Sequence, residues 1–144
     1  MPTESSRAWL RALQSTAPIS RNPLVTLPVI IERLAEQFGH ATALISAEEH
    51  LSYRDLAARG RYYAQWAIDQ RRGKWDGVRL WMQNCPDYLA IWLGITRVGS
   101  IVALLNTNLR GAALRHSIAL VAPRHAIVGE GLHDAYISLR YYIW

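Results

Sequence analysis

Apolar and polar residues follow one another in blocks along the second half of the chain, and these blocks predict alternating strands and helices. Short apolar runs typical of strands lie at residues 77–82, 101–105 and 125–128, and longer mixed stretches separate them. Because each separating stretch is long enough for a helical crossover, the strands should be parallel, with helices on the faces of the sheet. We therefore predict an α/β fold that contains a partial doubly wound sheet.

The longest apolar run, residues 84–111, predicts a helix that is covered on both faces. Pro86 suits the first helical turn, where its missing N–H has no intrahelical partner, and Asn84 or Cys85 would cap the helix. No strongly polar residue occurs between positions 88 and 95. We therefore expect neighbouring elements on both sides of this helix.

The end of the same run predicts a glycine stop and a buried strand. Gly99 suits the left-handed conformation that ends helices, and residues 101–105 are all apolar, as in a strand buried on both faces of a parallel sheet. A membrane span over residues 88–105 is the alternative. Arg97 argues against it, because an arginine inside a span costs about 2.5–3.5 kcal/mol on insertion scales.

The first part of the chain predicts two helices with a loose stretch between them. Residues 5–15 can form a short helix with Trp9, Leu10 and Leu13 on one face, and residues 26–38 form a second helix that Gly39 should close. Prolines punctuate this part of the sequence at Pro18, Pro23 and Pro28.

A β-hairpin and a long helix are predicted next. Residues 41–46 and 50–52 read as strands on either side of a tight turn. Ser52 and Asp55 have the spacing of a capping box, so a helix should begin there and continue to Gly73. The predicted buried side of this helix comprises Leu56, Tyr63, Ala64, Ala67 and Ile68.

The remaining helices are predicted on either side of the last strand. Residues 111–122 should form an amphipathic helix that Pro123 stops. Its inward side chains are predicted to be Leu114, Ile118 and Val121. A last helix is expected from Gly131, before the aromatic ending of residues 141–144.

Composition indicates a globular protein of one domain. The chain has 144 residues, of which 51% are hydrophobic and 19% are charged, which is too apolar for a disordered protein. Cys85 is the single cysteine, so no internal disulfide can form, and a reducing compartment is expected. Residues 1–15 lack the apolar core of a signal peptide. We therefore expect a cytoplasmic protein.

The net charge of +5 does not indicate a nucleic-acid partner. The basic residues are scattered, and the one tight cluster, residues 71–74, lies at a predicted helix end, where cations are favourable. A groove that binds single-stranded nucleic acid would need a basic stripe with interleaved aromatic residues, and the sequence has none. We expect no nucleic-acid binding.

Four sequence blocks carry a family resemblance. In chain order they are LSYRDLAARGRYYAQW (51–66), GVRLWMQNCPDYLAIWLGITRVGSIVALLNTNLRG (77–111), LRHSIALV (114–121) and RHAIVGEGL (124–132). Together they resemble the N-terminal part of the adenylate-forming (AMP-binding) acyl-CoA synthetases. LLNTNLRG followed by Leu114 and His116 is most similar to the fatty-acid transport protein and very-long-chain acyl-CoA synthetase branch.

The resemblance implies an activity for complete members of the family. They join a fatty acid to ATP with magnesium, release pyrophosphate, and pass the acyl group from AMP to coenzyme A. A Ser/Thr/Gly-rich loop that ends in lysine holds the phosphates, because its backbone N–H groups can wrap them. This sequence contains no such loop, and Lys74, its sole lysine, lies in a turn before the sheet.

We therefore expect a truncated N-terminal part of an ATP-dependent fatty acyl-CoA ligase that is inactive alone. Residues 1–25 would form a helix and linker, residues 26–138 the N-terminal part of the large domain, and residues 139–144 an atypical tail. No catalytic, cofactor-binding or metal-binding residue is assigned. ATP, magnesium, coenzyme A and the fatty acid are expected partners of a complete enzyme only, and whether this chain is itself an enzyme stays open.

The residues that could suggest other chemistry have simpler explanations. Gly129 and Gly131 form a GxG after a strand, but Asp134 stands where a dinucleotide fingerprint needs its third glycine, so we expect a strand-to-helix turn. Cys85 precedes a helix but has no base nearby in sequence. The five histidines lack the i, i+4 spacing of zinc ligands, and we expect packing or hydrogen bonding for His116 within its helix. These histidines are His40, His50, His116, His125 and His133.

Polar residues at the strand ends form the most interesting cluster. Ligands of open parallel sheets bind beyond the carboxyl ends of strands, which here are residues 83–84, residues 106–108 and Gly129. Asn106, Thr107 and Asn108 could line a site wall there. The favoured interpretation is structural, because Asn and Thr side chains satisfy backbone groups at sharp turns.

Two further hypotheses compete with the ligase fragment. The first is a small α/β binding or interaction module without catalysis, which would be stable and monomeric. The fragment hypothesis instead predicts aggregation or self-association, because a sheet without its neighbours leaves an unpaired edge. The second is peripheral membrane association through Trp9, Leu10 and Leu13, supported by Arg7 and Arg11.

Overall fold

The computed structural model describes residues 3–120 and 125–140. Its elements, in chain order, are α1 (Glu4–Arg21), α2 (Leu27–Phe38), β1 (Thr42–Ile45), β2 (His50–Ser52), α3 (Tyr53–Asp69), β3 (Gly77–Trp81), α4 (Pro86–Arg97), β4 (Ile101–Leu104), α5 (Gly111–Leu120), β5 (His125–Val128), a 3₁₀ helix (Glu130–Leu132) and α6 (His133–Arg140). β1 and β2 form an antiparallel hairpin, and the other strands form a parallel sheet in the order β4-β3-β5. The predicted fold class is confirmed.

Helices cover both faces of the parallel sheet, because successive side chains of β3 point in opposite directions. Val78 and Leu80 pack against α3 and α4 in a core that includes Ala67, Ile91 and Ile95. Trp81 points to the other face and packs against Leu114 and Ile118 of α5. The predicted doubly wound arrangement and the inward positions of Leu114 and Ile118 are therefore confirmed, whereas Val121, Pro123 and residues 141–144 lie outside the described residues.

α3 begins as predicted but ends early. The Ser52 hydroxyl accepts a hydrogen bond from the Asp55 N–H (3.2 Å), and the Asp55 carboxylate accepts one from the Ser52 N–H (3.1 Å), which confirms the capping box. The helix does not reach Gly73, because Arg71 adopts a left-handed conformation (φ 55°) and its N–H donates to the Ile68 carbonyl. Arg71 thus takes the place that was predicted for a glycine.

The buried stripe of α3 consists of small residues, which lets α4 approach closely. Gly60, Ala64 and Ala67 are buried along one line of the helix, whereas Ile68 lies beside that line and is 54% exposed, so its predicted burial is wrong. A Cβ atom added to Gly94 of α4 would lie 2.5 Å from the Gly60 carbonyl oxygen. Only glycine fits at Gly94 without moving the two backbones apart.

α1 is longer than predicted and mostly exposed. It continues through Pro18 to Arg21, and none of its residues is buried. Pro18 removes one helical hydrogen bond, the one to the Gln14 carbonyl. Gln14 is exposed, so water can satisfy that carbonyl. The predicted loose stretch therefore begins only after Arg21, and its predicted start after residue 15 is wrong.

α4 follows the prediction, but the strand after it does not. Cys85 is the N-cap, Pro86 opens the helix, and no residue from 88 to 96 is exposed. Gly99 follows with a φ of +82°, as expected. β4 was predicted to be buried on both faces, and this is wrong: Ile101 is 50% exposed and Leu104 is 43% exposed, because β4 is an outer strand of the described sheet.

The remaining boundaries agree with the sequence or differ slightly. The hairpin and α2 lie where they were predicted. α6 begins at His133, after the 3₁₀ turn, rather than at Gly131. Within residues 3–120 and 125–140, no helix has both the length and the apolar character that crossing a bilayer requires.

Candidate functional site

The carboxyl ends of the three parallel strands meet at one edge of the sheet. The register pairs Leu80 with Leu104 and Trp81 with Val128, so the residues that follow each strand become neighbours. Backbone hydrogen bonds extend this pairing, since the Leu105 N–H donates to Leu80 and the Gly129 N–H donates to Trp81, both at 2.9 Å. The predicted convergence of these strand ends is thereby observed.

A cavity of about 470 Å³ opens between the ends of β3 and β4. We call it the amide cavity, because uncharged polar side chains dominate its wall. Its lining residues are Met82, Gln83, Asn84, Tyr88, Leu104, Leu105, Asn106, Thr107 and Asn108. None of these side chains is charged at neutral pH.

Hydrogen bonds fix the wall of the amide cavity. The Asn106 side-chain oxygen accepts from the Asn108 N–H (2.8 Å), which is the turn-satisfying role that the sequence favoured. The buried Trp81 indole N–H donates to the Asn106 carbonyl (3.3 Å), and the Thr107 hydroxyl lies 3.5 Å from the Gln83 side-chain oxygen. The wall is therefore a connected structure that ties β3 to the turn after β4.

Tyr88 is a cavity residue that sequence reasoning missed. It lies in the first turn of α4 and is half-buried. Burial raises the pKa of the Tyr88 phenol, so the hydroxyl stays protonated at neutral pH. The sequence did contain a signal for this role, because Tyr88 follows closely after the end of β3 and after Pro86, which opens α4.

An ion cluster positions the start of α4 and was also missed. Arg59 of α3 donates to both carboxylate oxygens of Glu49 (2.8 and 2.5 Å) and to Asp87 (3.2 Å). These bonds join the hairpin, α3 and the first turn of α4, next to Asn84 and Tyr88. The bidentate pairing with Arg59 holds the pKa of Glu49 below its usual value.

A second, smaller cavity of about 250 Å³ lies on the other side of Gln83. Its wall comprises Met82, Gln83, Cys85, Gly129, Glu130, Gly131 and Leu132. A Cβ atom on Gly129 would lie 2.9 Å from the Met82 Cβ, so close packing explains this glycine. The turn continues into a three-residue 3₁₀ helix, which confirms the predicted strand-to-helix turn at the GxG.

The lining residues of both cavities do not fit a magnesium nucleotide. A triphosphate calls for cationic or convergent backbone donors, and Mg²⁺ for carboxylate oxygens. The amide cavity offers neutral amides and hydroxyls, and the smaller cavity has Glu130 as its one charged side chain. In the described part of the chain, no three His, Cys, Asp or Glu residues lie close enough together to hold a metal ion.

The individual residues weighed for other chemistry are dispersed. Cys85 is exposed at the N-cap of α4, and His116 is exposed on α5. Of the two roles expected for His116, packing or hydrogen bonding, packing is therefore wrong. His125 lies at the start of β5, at the end of the sheet opposite the cavities. These residues do not assemble into a site.

Comparison with known proteins assigns the family. The family model described as "AMP-binding enzyme" matches residues 31–139, which is most of the chain. The chain belongs to the AMP-binding enzyme family. The resemblance recognised from the four sequence blocks is thereby confirmed.

The names of two relatives refer to fatty acids, and one of these names also refers to coenzyme A. Long-chain fatty acid transport protein 2 of Rattus norvegicus is 30% identical over 118 residues, which are 80% of this chain and 19% of the rat protein. The medium/long-chain-fatty-acid--CoA ligase FadD6 of Mycobacterium tuberculosis is 26% identical over 114 residues, 79% of this chain and 19% of that ligase. The chain thus spans about a fifth of the length of these curated relatives.

A solved structure has the same fold. The anthranilate CoA ligase AuaEII, solved in complex with anthranoyl-AMP, superposes with a TM-score of 0.75 over 81% of this chain and 22% of that enzyme. Its sequence identity of 18% makes this a likeness of fold alone.

Proposed function

We propose that this chain is the N-terminal part of an ATP-dependent fatty acyl-CoA ligase and that it does not catalyse the reaction by itself. In a complete enzyme the reaction would convert a fatty acid, ATP and coenzyme A to acyl-CoA, AMP and pyrophosphate. The observation that carries the proposal is the family match over residues 31–139, together with fatty acid transport proteins and a fatty acyl-CoA ligase among the relatives.

The domain organisation follows from the same proposal. Residues 26–138 would be the N-terminal part of the large adenylate-forming domain, residues 1–25 a helix and linker outside it, and residues 139–144 an atypical tail. The exposed α1 and its separation from α2 by the stretch around Pro23 support this boundary. We place the protein on the cytoplasmic side of the cell, in fatty acid metabolism.

The geometry supports a structural role in which this chain forms the scaffold and one wall of a ligand-binding site. The amide cavity lies beyond the strand ends, where ligands of open parallel sheets bind. Its neutral amides can hydrogen-bond a polar ligand but supply no charge against phosphates. The groups that bind the nucleotide phosphates would therefore come from residues other than these 144.

The outer edge of β4 supports a scaffold over a free-standing module. Within the described residues no strand pairs with that edge, and Ile101 and Leu104 are about half exposed. An independent binding module would be expected to protect such an edge, because an open apolar strand promotes association. Self-association of the isolated chain is thus part of the proposal.

The direct test is incubation of the purified chain with ATP, magnesium, a long-chain fatty acid and coenzyme A. We expect no AMP release above a protein-free blank, while a complete fatty acyl-CoA ligase in a parallel reaction releases AMP. Equilibrium dialysis with labelled ATP should likewise show no retention. AMP release that tracks the purified chain would refute the proposed lack of catalysis.

A further inference from the structure

The outer edge of β4 lacks the features that normally prevent another strand from adding to a sheet. Within the described residues, no strand pairs with this edge. β4 is built from Ile, Val, Ala and Leu, and its register with β3 continues without a bulge from Ile101 to Leu104. Edge strands that stay unpaired usually carry a charge, a proline or a bulge. The edge of β4 is therefore open to pairing.

The handedness of the fold directs any later strand to the other edge of the sheet. α5 lies on the face of Trp81 and leads from β4 past β3 to β5. α6 lies on the same face, because Tyr136 also packs against Trp81. Since crossovers between parallel strands are right-handed, a parallel strand that followed α6 would be placed outside β5. The edge of β4 would stay open for a different occupant.

Backbone hydrogen bonds determine which groups of β4 point outward. The N–H groups of Ile101 and Leu105 donate to carbonyls of β3 and of the residue before it, at 2.8 and 2.9 Å. The odd-numbered residues of this segment therefore bond towards β3. Because backbone groups alternate in direction along a strand, the N–H and C=O groups of Val102 and Leu104 point away from the sheet.

A second copy of this chain fits this pattern with two-fold symmetry. When two β4 strands run antiparallel with Ala103 opposite Ala103, Val102 of each copy lies opposite Leu104 of the other, and their outward donors and acceptors pair. Ile101 then lies opposite Leu105, so every facing pair is apolar. The side chains of Ile101 and Leu104, 50% and 43% exposed in the single chain, would gain apolar neighbours. Self-complementarity of this kind is what a symmetric interface requires.

We propose that two copies of this chain pair through β4 in this register and join their three-stranded sheets into one. The proposal deepens the self-association stated above, because a two-fold interface closes at the dimer and does not lead to open-ended aggregates. The second copy also extends the wall of the amide cavity, since Leu104 and Leu105 line that cavity and lie opposite Val102 and Ile101 of the second copy. It rests on the proposed function only for the open edge of β4.

Sedimentation equilibrium of the parent chain over a concentration series tests the closed dimer. We expect only two species, with the mass of one chain and twice that mass, and a dimer fraction that rises with concentration. The mass of a single chain at every concentration would overturn the proposal. A continuous series of larger species would also overturn it, because a two-fold interface cannot produce one.

Cysteine cross-linking tests the register in chains that carry Cys85→Ser, a substitution that suits the N-cap of α4. Ala103 forms the non-hydrogen-bonded pair of the proposed register, in which the two Cα atoms lie about 4.5 Å apart, within the reach of a disulfide. Ala103→Cys should therefore become mostly dimeric with oxidised glutathione. Val102→Cys places its two cysteines on the diagonal, about 7–8 Å apart, and should cross-link about tenfold less.

Ala126→Cys is the matched control in the other outer strand, β5, and should also cross-link about tenfold less than Ala103→Cys. Circular dichroism should show equal helix content in all three variants. Equal cross-linking of Ala103→Cys and Val102→Cys would overturn the register, and equal cross-linking of Ala103→Cys and Ala126→Cys would overturn the choice of β4. A monomeric parent chain that releases no AMP would contradict the dimer alone and leave the proposed function standing.

Discussion

β3 and β4 lie side by side in one sheet, and their burial is the reverse of what their residues suggest. β3 contains an arginine, yet every residue from Val78 to Trp81 is buried. β4 is entirely apolar, yet both of its end residues, Ile101 and Leu104, are about half exposed. The order β4-β3-β5 explains the difference, because a central strand is covered by two strands and two helical layers.

Arg79 is accommodated in the centre because hydrogen bonds replace its water. Its guanidinium donates to the Ile118 carbonyl (3.0 Å) and to the Tyr136 hydroxyl (3.2 Å), and so joins β3 to α5 and α6. A buried cation is tolerated when its donors are satisfied in this way. Composition thus reports which residues form a strand, while neighbours decide how deeply the strand is buried.

The strongest test of this comparison is the same truncation in both strands. Leu80→Ala, at a fully buried position, should destabilise the chain by about 2–5 kcal/mol, because it leaves a cavity between the sheet and α4. Leu104→Ala should cost less than about 1 kcal/mol, since much of its side chain already contacts water. Urea unfolding measures both changes in the free energy of unfolding. Equal losses of stability would contradict the assignment of β3 as the central strand and β4 as an outer strand.

A smaller effect is expected from replacing the buried cation. Arg79→Met keeps much of the side-chain length but leaves the Ile118 carbonyl and the Tyr136 hydroxyl without this donor, at a cost of about 1–3 kcal/mol. Arg33→Met, on the exposed surface of α2, should change the unfolding free energy by less than about 0.5 kcal/mol. If Arg79→Met stabilised the protein, the free-energy penalty of burying the Arg79 charge would exceed the stabilisation from its hydrogen bonds.

Acid should weaken the fold through the ion cluster rather than through either strand. Pairing with Arg59 lowers the pKa of Glu49 in the folded state, so its contribution is complete above the ordinary glutamate pKa of about 4.3 and is lost as pH falls through the lowered value. Glu49→Gln should therefore flatten the fall of stability with acid, whereas Leu80→Ala and Leu104→Ala should keep the parent slope. Urea midpoints measured between neutral and acidic pH test this, and an unchanged slope in Glu49→Gln would exclude the cluster.

The smallest effect on stability, with a clear effect on association, is expected at the outer strand. Ile101→Lys places a charge on the exposed edge and should reduce self-association while changing the unfolding free energy by less than about 0.5 kcal/mol. Ile45→Lys is the matched control, since Ile45 is also an exposed isoleucine on a strand but belongs to the hairpin. Size-exclusion chromatography over a concentration series distinguishes them, and an equal effect of both variants would mean that β4 is not the associating edge.

Local signals predicted the elements well. Ser52 and Asp55 located the start of α3, Pro86 located the start of α4, and Gly99 located its end, because each acts through its own backbone or a neighbour a few residues away. The sequence of strands and helices from residue 77 then determined a parallel sheet. The family resemblance followed from the same ordered segments.

What the sequence did not predict depends on distant partners. The exposure of β4 depends on the strand order, and the ion cluster of Arg59 joins residues from three elements. The sequence predicted where the polar residues at the strand ends would meet. It did not predict that Tyr88 lines the amide cavity, because that depends on how α4 is oriented. Arg71 ended α3 in a conformation that its residue type disfavours, so no propensity rule could indicate it.

Cys85 gives this molecule a practical handle. It is the only thiol in the sequence, it is exposed, and it stands at the rim of the smaller cavity beside Gln83. A maleimide dye or spin label would therefore attach at one known point without any substitution. Its emission or mobility would report directly on whatever comes to occupy the ends of the three strands.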